Sequence, residues 1–179
     1  MFVVLSGLPV SGKTTLAHRL APRLGLPALD KDAILESLYD ANGVGDEGWR
    51  RALSRESDRI LQAQASTLDG AILVSHWRLD GMPPDSGTPI GWLFELSAPV
   101  VNIRCECRAG IGAERYIRRQ RHPGHLDQGR TPEDIHSSIE TLASLGHPAI
   151  PTFLSVDTTR APELDTVIQR LTTYSEPCT

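Results

Sequence analysis

Residues 2–24 read FVVLSGLPVSGKTTLAHRLAPRL, and this stretch decides the fold. Phe2 to Ser6 is a short apolar run with β-branched residues, too short for a helix and closed by Gly7, so it reads as a buried strand. From Lys13 to Leu24 the residues Leu16, Leu20 and Leu24 recur every fourth position on one helix face, and Gly25 stops the helix. Between strand and helix, Gly7-Leu8-Pro9-Val10-Ser11-Gly12-Lys13-Thr14 matches G-x-x-x-x-G-K-[ST] at every fixed position. Glycines let backbone N–H groups turn inward around phosphate oxygens, the helix N-terminus adds a positive dipole, and Lys13 brings a mobile charge to the β- and γ-phosphates. Thr14 offers its hydroxyl to magnesium. A chance glycine-rich turn is the alternative; the agreement of strand, motif and helix weighs against it. ATP and Mg2+ are the expected ligands.

Further along, strands and helices alternate. Pro27-Ala28-Leu29 reads as a second strand, with a helix from Asp30 or Lys31 to about Tyr39 that turns Ile34, Leu35 and Leu38 inward. A long helix from about Trp49 to Leu68 leads to the apolar strand Ala71-Ile72-Leu73-Val74. Val100 to Cys105 is a fourth strand, followed by a helix from about Ala109 to Gln120 that His122-Pro123-Gly124-His125 breaks. Thr131-Pro132-Glu133-Asp134 carries an N-cap, a first-position proline and first-turn acids, so a helix runs on to about Leu145. Phe153 to Val156 is a fifth strand, and a last helix spans about Pro162 to Thr173. This alternation predicts an α/β fold of three layers, with about five parallel strands and helices on both faces.

The 179 residues suffice for one substantial core, so 1–179 is expected to be a single domain. Phe2 to Leu5 lacks the basic leader and length of a signal peptide, and no window approaches the roughly 20 apolar residues of a membrane span. A cytoplasmic protein with no membrane partner is expected. Cys105, Cys107 and Cys178 have neither zinc nor thioredoxin spacing and are expected to be reduced. A formal charge of −4 argues against a dedicated nucleic-acid binder. Of the 18 basic residues only Lys13 and Lys31 are lysines, and both lie near the expected phosphate site.

Asp30-Lys31-Asp32 follows the second strand, where α/β sheets present groups to a ligand crevice. Asp32 is placed to accept the proton of an attacking hydroxyl while Lys13 and magnesium stabilise the transferring phosphoryl group. The structural alternative is that Asp30 caps the helix and Asp32 adds favourable first-turn charge; for Asp30, capping or indirect magnesium binding is the preferred reading. Arg115, Arg118 and Arg119 recur at spacings of three and four, with Arg121 at the helix break. Either they form a solvated basic face, or one or two close over ATP, in which case Arg115 and Arg119 are chosen. Arg51, Arg55 and Arg59 interleave with acids and read as surface. His122, His125 and Asp127 lack zinc spacing and read as a lid tip rather than a metal site. The third strand leads to Ser75 and His76 with no acid, so magnesium depends on Thr14, the phosphates, water and Asp30 or Asp32.

The sequence resembles the small P-loop kinases that include chloramphenicol phosphotransferase, the kinase domain of polynucleotide kinase and the zeta toxins. The resemblance rests on Gly7 to Thr14 with Thr15, on Leu29-Asp30-Lys31-Asp32, on Ile72-Leu73-Val74-Ser75, on the arginines near 115–121 and on Val156-Asp157-Thr158-Thr159. It implies a P-loop NTPase fold, Asp32 as general base, an Arg-containing lid at about 115–130, and Asp157, Thr158 and Thr159 near adenine. Polynucleotide kinases carry an arginine three residues after the base, where this chain has Leu35; the match is closer to chloramphenicol phosphotransferase.

The stretch from His76 to Gly91 is longer than usual α/β connections and is expected to select the acceptor together with the lid. Ser75, His76, Trp77, Arg78, Met82 and Trp92 are candidates to line that pocket, the alternative for the two tryptophans being core. The expected function is ATP-dependent phosphorylation of a hydroxyl on a small molecule: an antibiotic, or a sugar-like or nucleoside-like metabolite. A polynucleotide or nucleotide kinase is the enzymatic rival, and a nucleotide-binding regulatory module the rival of another class. Nothing in the chain specifies an oligomeric state.

Overall fold

The structure is a computed structural model that describes residues 1–174. Its strands β1 (Phe2–Ser6), β2 (Ala28–Asp30), β3 (Ala71–Val74), β4 (Val100–Glu106) and β5 (Phe153–Asp157) form one parallel sheet in the order β2-β3-β1-β4-β5. Around it lie α1 (Lys13–Leu24), α2 (Lys31–Asn42), α3 (Glu47–Ser66), α4 (Ala109–Arg118), α5 (Pro132–Ser144) and α6 (Leu164–Thr172).

All five residues of β1 are buried, because this strand has a core on each face. Val3 and Leu5 pack with Leu16 and Leu20 of α1 and with Val167 and Leu171 of α6. Phe2 and Val4 face the opposite way, towards Leu61 and Ala65 of α3 and the loop residues Trp92 and Leu93. A strand covered on both sides needs an unbroken apolar run, as FVVL supplies. Full burial of each such side chain stabilises the fold by about 1.5–3 kcal/mol. Ala113 of α4, with Ile135 and Ile139 of α5, forms a smaller third cluster against Leu8.

Several expectations shift by a turn or less. On α2 the inward stripe is Lys31, Leu35 and Tyr39, while Ile34 and Leu38 are half-buried. α4 ends at Arg118 because Arg119 is extended, and Pro123–His125 is a 3-10 turn rather than a plain break. A second 3-10 turn, Gly91–Glu95, buries Trp92 and Leu93. Trp77 and Trp92 belong to the core: they are 2% and 8% exposed, and the Trp77 indole N–H donates to the Leu5 carbonyl at 2.9 Å. Cys105 and Cys107 are free thiols, and burial pushes the Cys105 thiol up to about 12; Cys178 lies outside the described residues.

The long connection after β3 is tied at both ends. Arg78 N–H donates to the Thr88 carbonyl and Thr88 N–H to the His76 carbonyl, both at 2.8 Å, a one-residue parallel bridge. The fully buried Thr88 hydroxyl donates to Asp58 at 2.7 Å, so Ser75, 2.5 Å away, is its donor. Asp58 also pairs with Lys31 at 2.7 Å, and Lys31 donates to Ser54 at 3.2 Å. This buried chain joins β3, the connection, α3 and the start of α2. No helix among the described residues is long and apolar enough to cross a membrane.

Candidate active site

The phosphate loop leaves β1 and enters α1 through three backbone conformations with positive φ. Gly7 has φ 135, and a Cβ there would lie 2.5 Å from the Cys105 carbonyl oxygen and 2.9 Å from Ser11 Oγ, so only glycine fits. Gly12 caps α1 at φ 93. Val10 sits at φ 52, a left-handed position that costs a β-branched residue on the order of 1–3 kcal/mol and marks a loop held in shape by its surroundings. Lys13 Nζ donates to the carbonyls of Gly7 (3.0 Å) and Leu8 (2.8 Å), so the ammonium is folded across its own loop. Burial pulls its pKa down, opposed by Cys105, Asp32 and Asp30.

Opposite stands the acidic pair. Thr14 Oγ1 donates to Asp30 Oδ2 at 2.7 Å, and Asp30 Oδ1 accepts the Asp32 N–H at 2.9 Å. Asp30 therefore caps α2 and binds the loop threonine at once. Burial raises its pKa, partly offset by the Thr14 bond. A desolvated carboxylate touching a threonine hydroxyl is a pair of hard oxygen donors, a set that fits Mg2+. Asp32 is half-exposed in the first turn of α2 and lies 4.0 Å from Arg121.

A cleft of about 1330 Å³ opens over these groups. Pro9, Val10, Gly12, Lys13, Thr14 and Thr15 line its floor, with Thr158 and Thr159 on one side. Gly7 and Leu8 line a small adjoining cavity, and Ser11 is buried. Asp157 shapes its loop instead of lining the cleft: its carboxylate accepts the Thr159 N–H at 2.8 Å. On the other side stand Asp32, Leu35, Arg50, His76, Met82 and Asp85.

The arginines divide by what holds them. Arg115 donates to the carbonyls of Thr158 (3.2 Å) and Thr159 (2.7 Å), clamping α4 to the loop after β5. Arg118 is exposed and 3.9 Å from Glu114. The Arg119 guanidinium has no hydrogen bond or ion pair among the described residues, lines the cleft, and lowers the pKa of Lys13 by its charge. Arg121 is held by Asp127 (2.5 Å), Tyr116 Oη (2.8 Å) and His125 Nδ1 (3.0 Å).

Among the described residues, the histidines beside the 3-10 turn belong to no group of three or more His, Cys, Asp or Glu side chains placed to hold a metal ion. His125 contacts Glu36 at 2.9 Å and His122 contacts Asp40 at 3.2 Å, so the turn docks on α2. There the Tyr39 ring stacks between Trp49 (5.0 Å) and His122 (5.3 Å). Lys31, expected near the phosphate site, lines the same cleft as Lys13 and Thr14, with its ammonium paired to Asp58. Arg50, beside the surface stripe read in the sequence, lines the cleft, as does Arg51 of that stripe. The sequence offered no signal for Arg50, whose position depends on how α3 folds against β2, whereas His76, a candidate from its place after β3, does line the cleft.

A phosphate loop at the end of a central parallel strand, facing an acidic pair at the end of the neighbouring crossover, defines a P-loop nucleotide-binding protein. A provisionally assigned kinase from Chloroflexus aurantiacus has 30% identical residues, covers 96% of this chain and 96% of its own, and superposes with a TM-score of 0.78. This chain belongs to the family of small P-loop kinases. Shikimate kinase from Symbiobacterium thermophilum is 38% identical over a stretch covering 41% of this chain and 47% of that enzyme. The chain thus spans about half the length of that curated relative, or less. Shikimate kinase from Acinetobacter baumannii in complex with shikimate, 16% identical with a TM-score of 0.62, shares the fold over 98% of this chain. No protein-family profile matches the chain.

Proposed function

We propose that the protein is an ATP-dependent phosphotransferase acting on a hydroxyl group of a small molecule. The observation that carries this reading is the placement of Asp32 across one cleft from Lys13, near enough for their charges to couple, with Thr14 and Asp30 joined between them. The acceptor oxygen attacks the γ-phosphorus, its bond to phosphorus forms as the bond to the β,γ-bridging oxygen breaks, and ADP leaves. The hydroxyl proton passes to the Asp32 carboxylate. Lys13 exchanges its two loop carbonyls for phosphate oxygens, and Arg119, whose guanidinium is unengaged, stabilises charge on the transferring group. Thr14 and Asp30 are the residues that would hold Mg2+, which when bound neutralises charge on the β- and γ-phosphates.

In this reading 1–179 is one kinase domain and 115–130 its lid. Arg115 serves by holding the loop of Thr158 and Thr159 at the adenine side, and Asp157 keeps that loop turned. Leu35 after the base and the net charge of −4 favour a small acceptor over a polynucleotide. The closer kinship with chloramphenicol phosphotransferase rests on the same apolar position.

The test is to incubate the protein with γ-labelled ATP, Mg2+ and panels of shikimate, antibiotics, sugars, nucleosides and 5′-hydroxyl oligonucleotides. Label on a small hydroxylated compound is expected. Label on oligonucleotides alone would establish the polynucleotide kinase, and tight ATP binding with no labelled acceptor would favour the regulatory module.

A further inference from the structure

We infer that His76 hydrogen-bonds the acceptor at an oxygen next to the hydroxyl being phosphorylated, and so decides which acceptors fit. This rests on the phosphotransferase reading above.

His76 follows the C-terminal end of β3, beside the strand that feeds the phosphate loop. Its neighbours on either side are already engaged: Ser75, on the cleft wall, bonds Thr88, and Trp77 bonds the Leu5 carbonyl. The ring lines both the large cleft and the small cavity under Gly7 and Leu8. It feels the charges of Lys13, Asp32 and Lys31, which places it among the reacting groups.

Most polar side chains around it are already engaged. Lys31 is held by Asp58, Thr14 by Asp30, His125 by Glu36 and Arg121, and Arg121 by Asp127. The His76 ring makes no hydrogen bond among the described residues, although its main chain is fixed by the Thr88 bridge. A partly buried imidazole without a partner, on a rigid backbone, is a recognition group awaiting its ligand. Burial, with Lys13 and Lys31 adding to it against Asp32, presses its pKa down to about 4. The ring is therefore neutral at working pH, with one nitrogen donating and the other accepting. It complements Asp32, which as a carboxylate only accepts. A carboxylate for the reacting hydroxyl and a neutral imidazole for an adjacent oxygen select a polyhydroxylated acceptor, a vicinal diol or its equivalent.

The experiment measures label transfer from γ-labelled ATP to whichever panel compound the native protein phosphorylates, together with that compound's analogue lacking the neighbouring hydroxyl. Loss of one neutral hydrogen bond predicts that His76→Ala raises acceptor KM about five- to twentyfold with the KM for ATP unchanged. His76→Asn should recover part of the loss. The deoxy analogue should be as poor with native protein as the parent is with His76→Ala, and no poorer with the variant. An unchanged acceptor KM, or a change confined to ATP, overturns the role of His76; if Asp32→Asn still abolishes transfer, the phosphotransferase reading stands without it. Failure of the native protein to label any small acceptor overturns both. Calorimetric MgATP binding confirms that each variant is folded, and His76→Gln substitutes for His76→Ala should the latter fail this check.

Discussion

Arg121, beyond the end of α4, reaches Asp32 in the first turn of α2, Nη2 to Oδ2 4.0 Å. The contact crosses the cleft and joins the segment proposed as lid to the residue proposed as base. Asp32→Asn is expected to lower kcat by at least about a hundredfold while leaving MgATP affinity within about twofold. Calorimetry with a steady-state assay decides it, and an Asp32→Asn enzyme with native turnover would remove the residue as base.

Arg115 and Arg119 should separate kinetically. Arg115 is committed to the carbonyls of Thr158 and Thr159, so Arg115→Ala should release the loop proposed to flank the nucleotide and raise the KM for ATP more than it lowers kcat. Arg119 is unengaged, and Arg119→Ala should lower kcat by about ten- to a thousandfold with a smaller change in KM. The reverse pattern would exchange their roles.

Thr88 sits at the middle of the buried chain from Ser75 to Lys31. Thr88→Val keeps the shape but leaves Ser75 without an acceptor and Asp58 without one donor, at a cost of about 1–3 kcal/mol. For a chain of this length each kcal/mol lowers Tm by roughly 2–4 °C. Thermal unfolding of the variant measures the loss, and an unchanged Tm would show that the chain of hydroxyls carries no stability.

His76 gives the protein an acid limit. Its folded pKa of about 4 lies below the ordinary 6.5, so the unfolded chain binds more protons between those values. The stability that depends on a neutral ring is whole above pH 6.5 and is lost as pH falls towards 4, on the order of 3 kcal/mol. Burial lowers the His125 pKa too, which adds in the same direction. Tm followed from pH 7 to 4 should fall for native protein and fall less for His76→Asn; parallel curves would contradict the assignment.

The sheet was legible because β1 and β3 are unbroken apolar runs closed by turns, and β1, α1 and β3 have the bounds that the sequence predicts. The phosphate loop was legible because its spacing is a backbone requirement, seen in Gly7 and Gly12. What escaped were relationships between distant segments. Tyr39 rather than Leu38 faces inward because the turn at 123–125, over eighty residues later, docks on its ring. Arg121 reads as one arginine among four until Asp127, Tyr116 and His125 are seen to hold it. Lys31 lines the cleft of the phosphate loop, and what escaped was its partner, Asp58, which α3 brings to it.

The bridge between Trp77 and Thr88 pins both ends of the connection after β3, while Met82, Asp85 and Ser86, between the pins, face the cleft. Substitutions there are expected to alter what the cleft admits while the sheet and the phosphate loop keep their places. On the proposed function, the molecule is modular within one fold, with a phosphate loop set by the sheet and a separately anchored segment facing the acceptor.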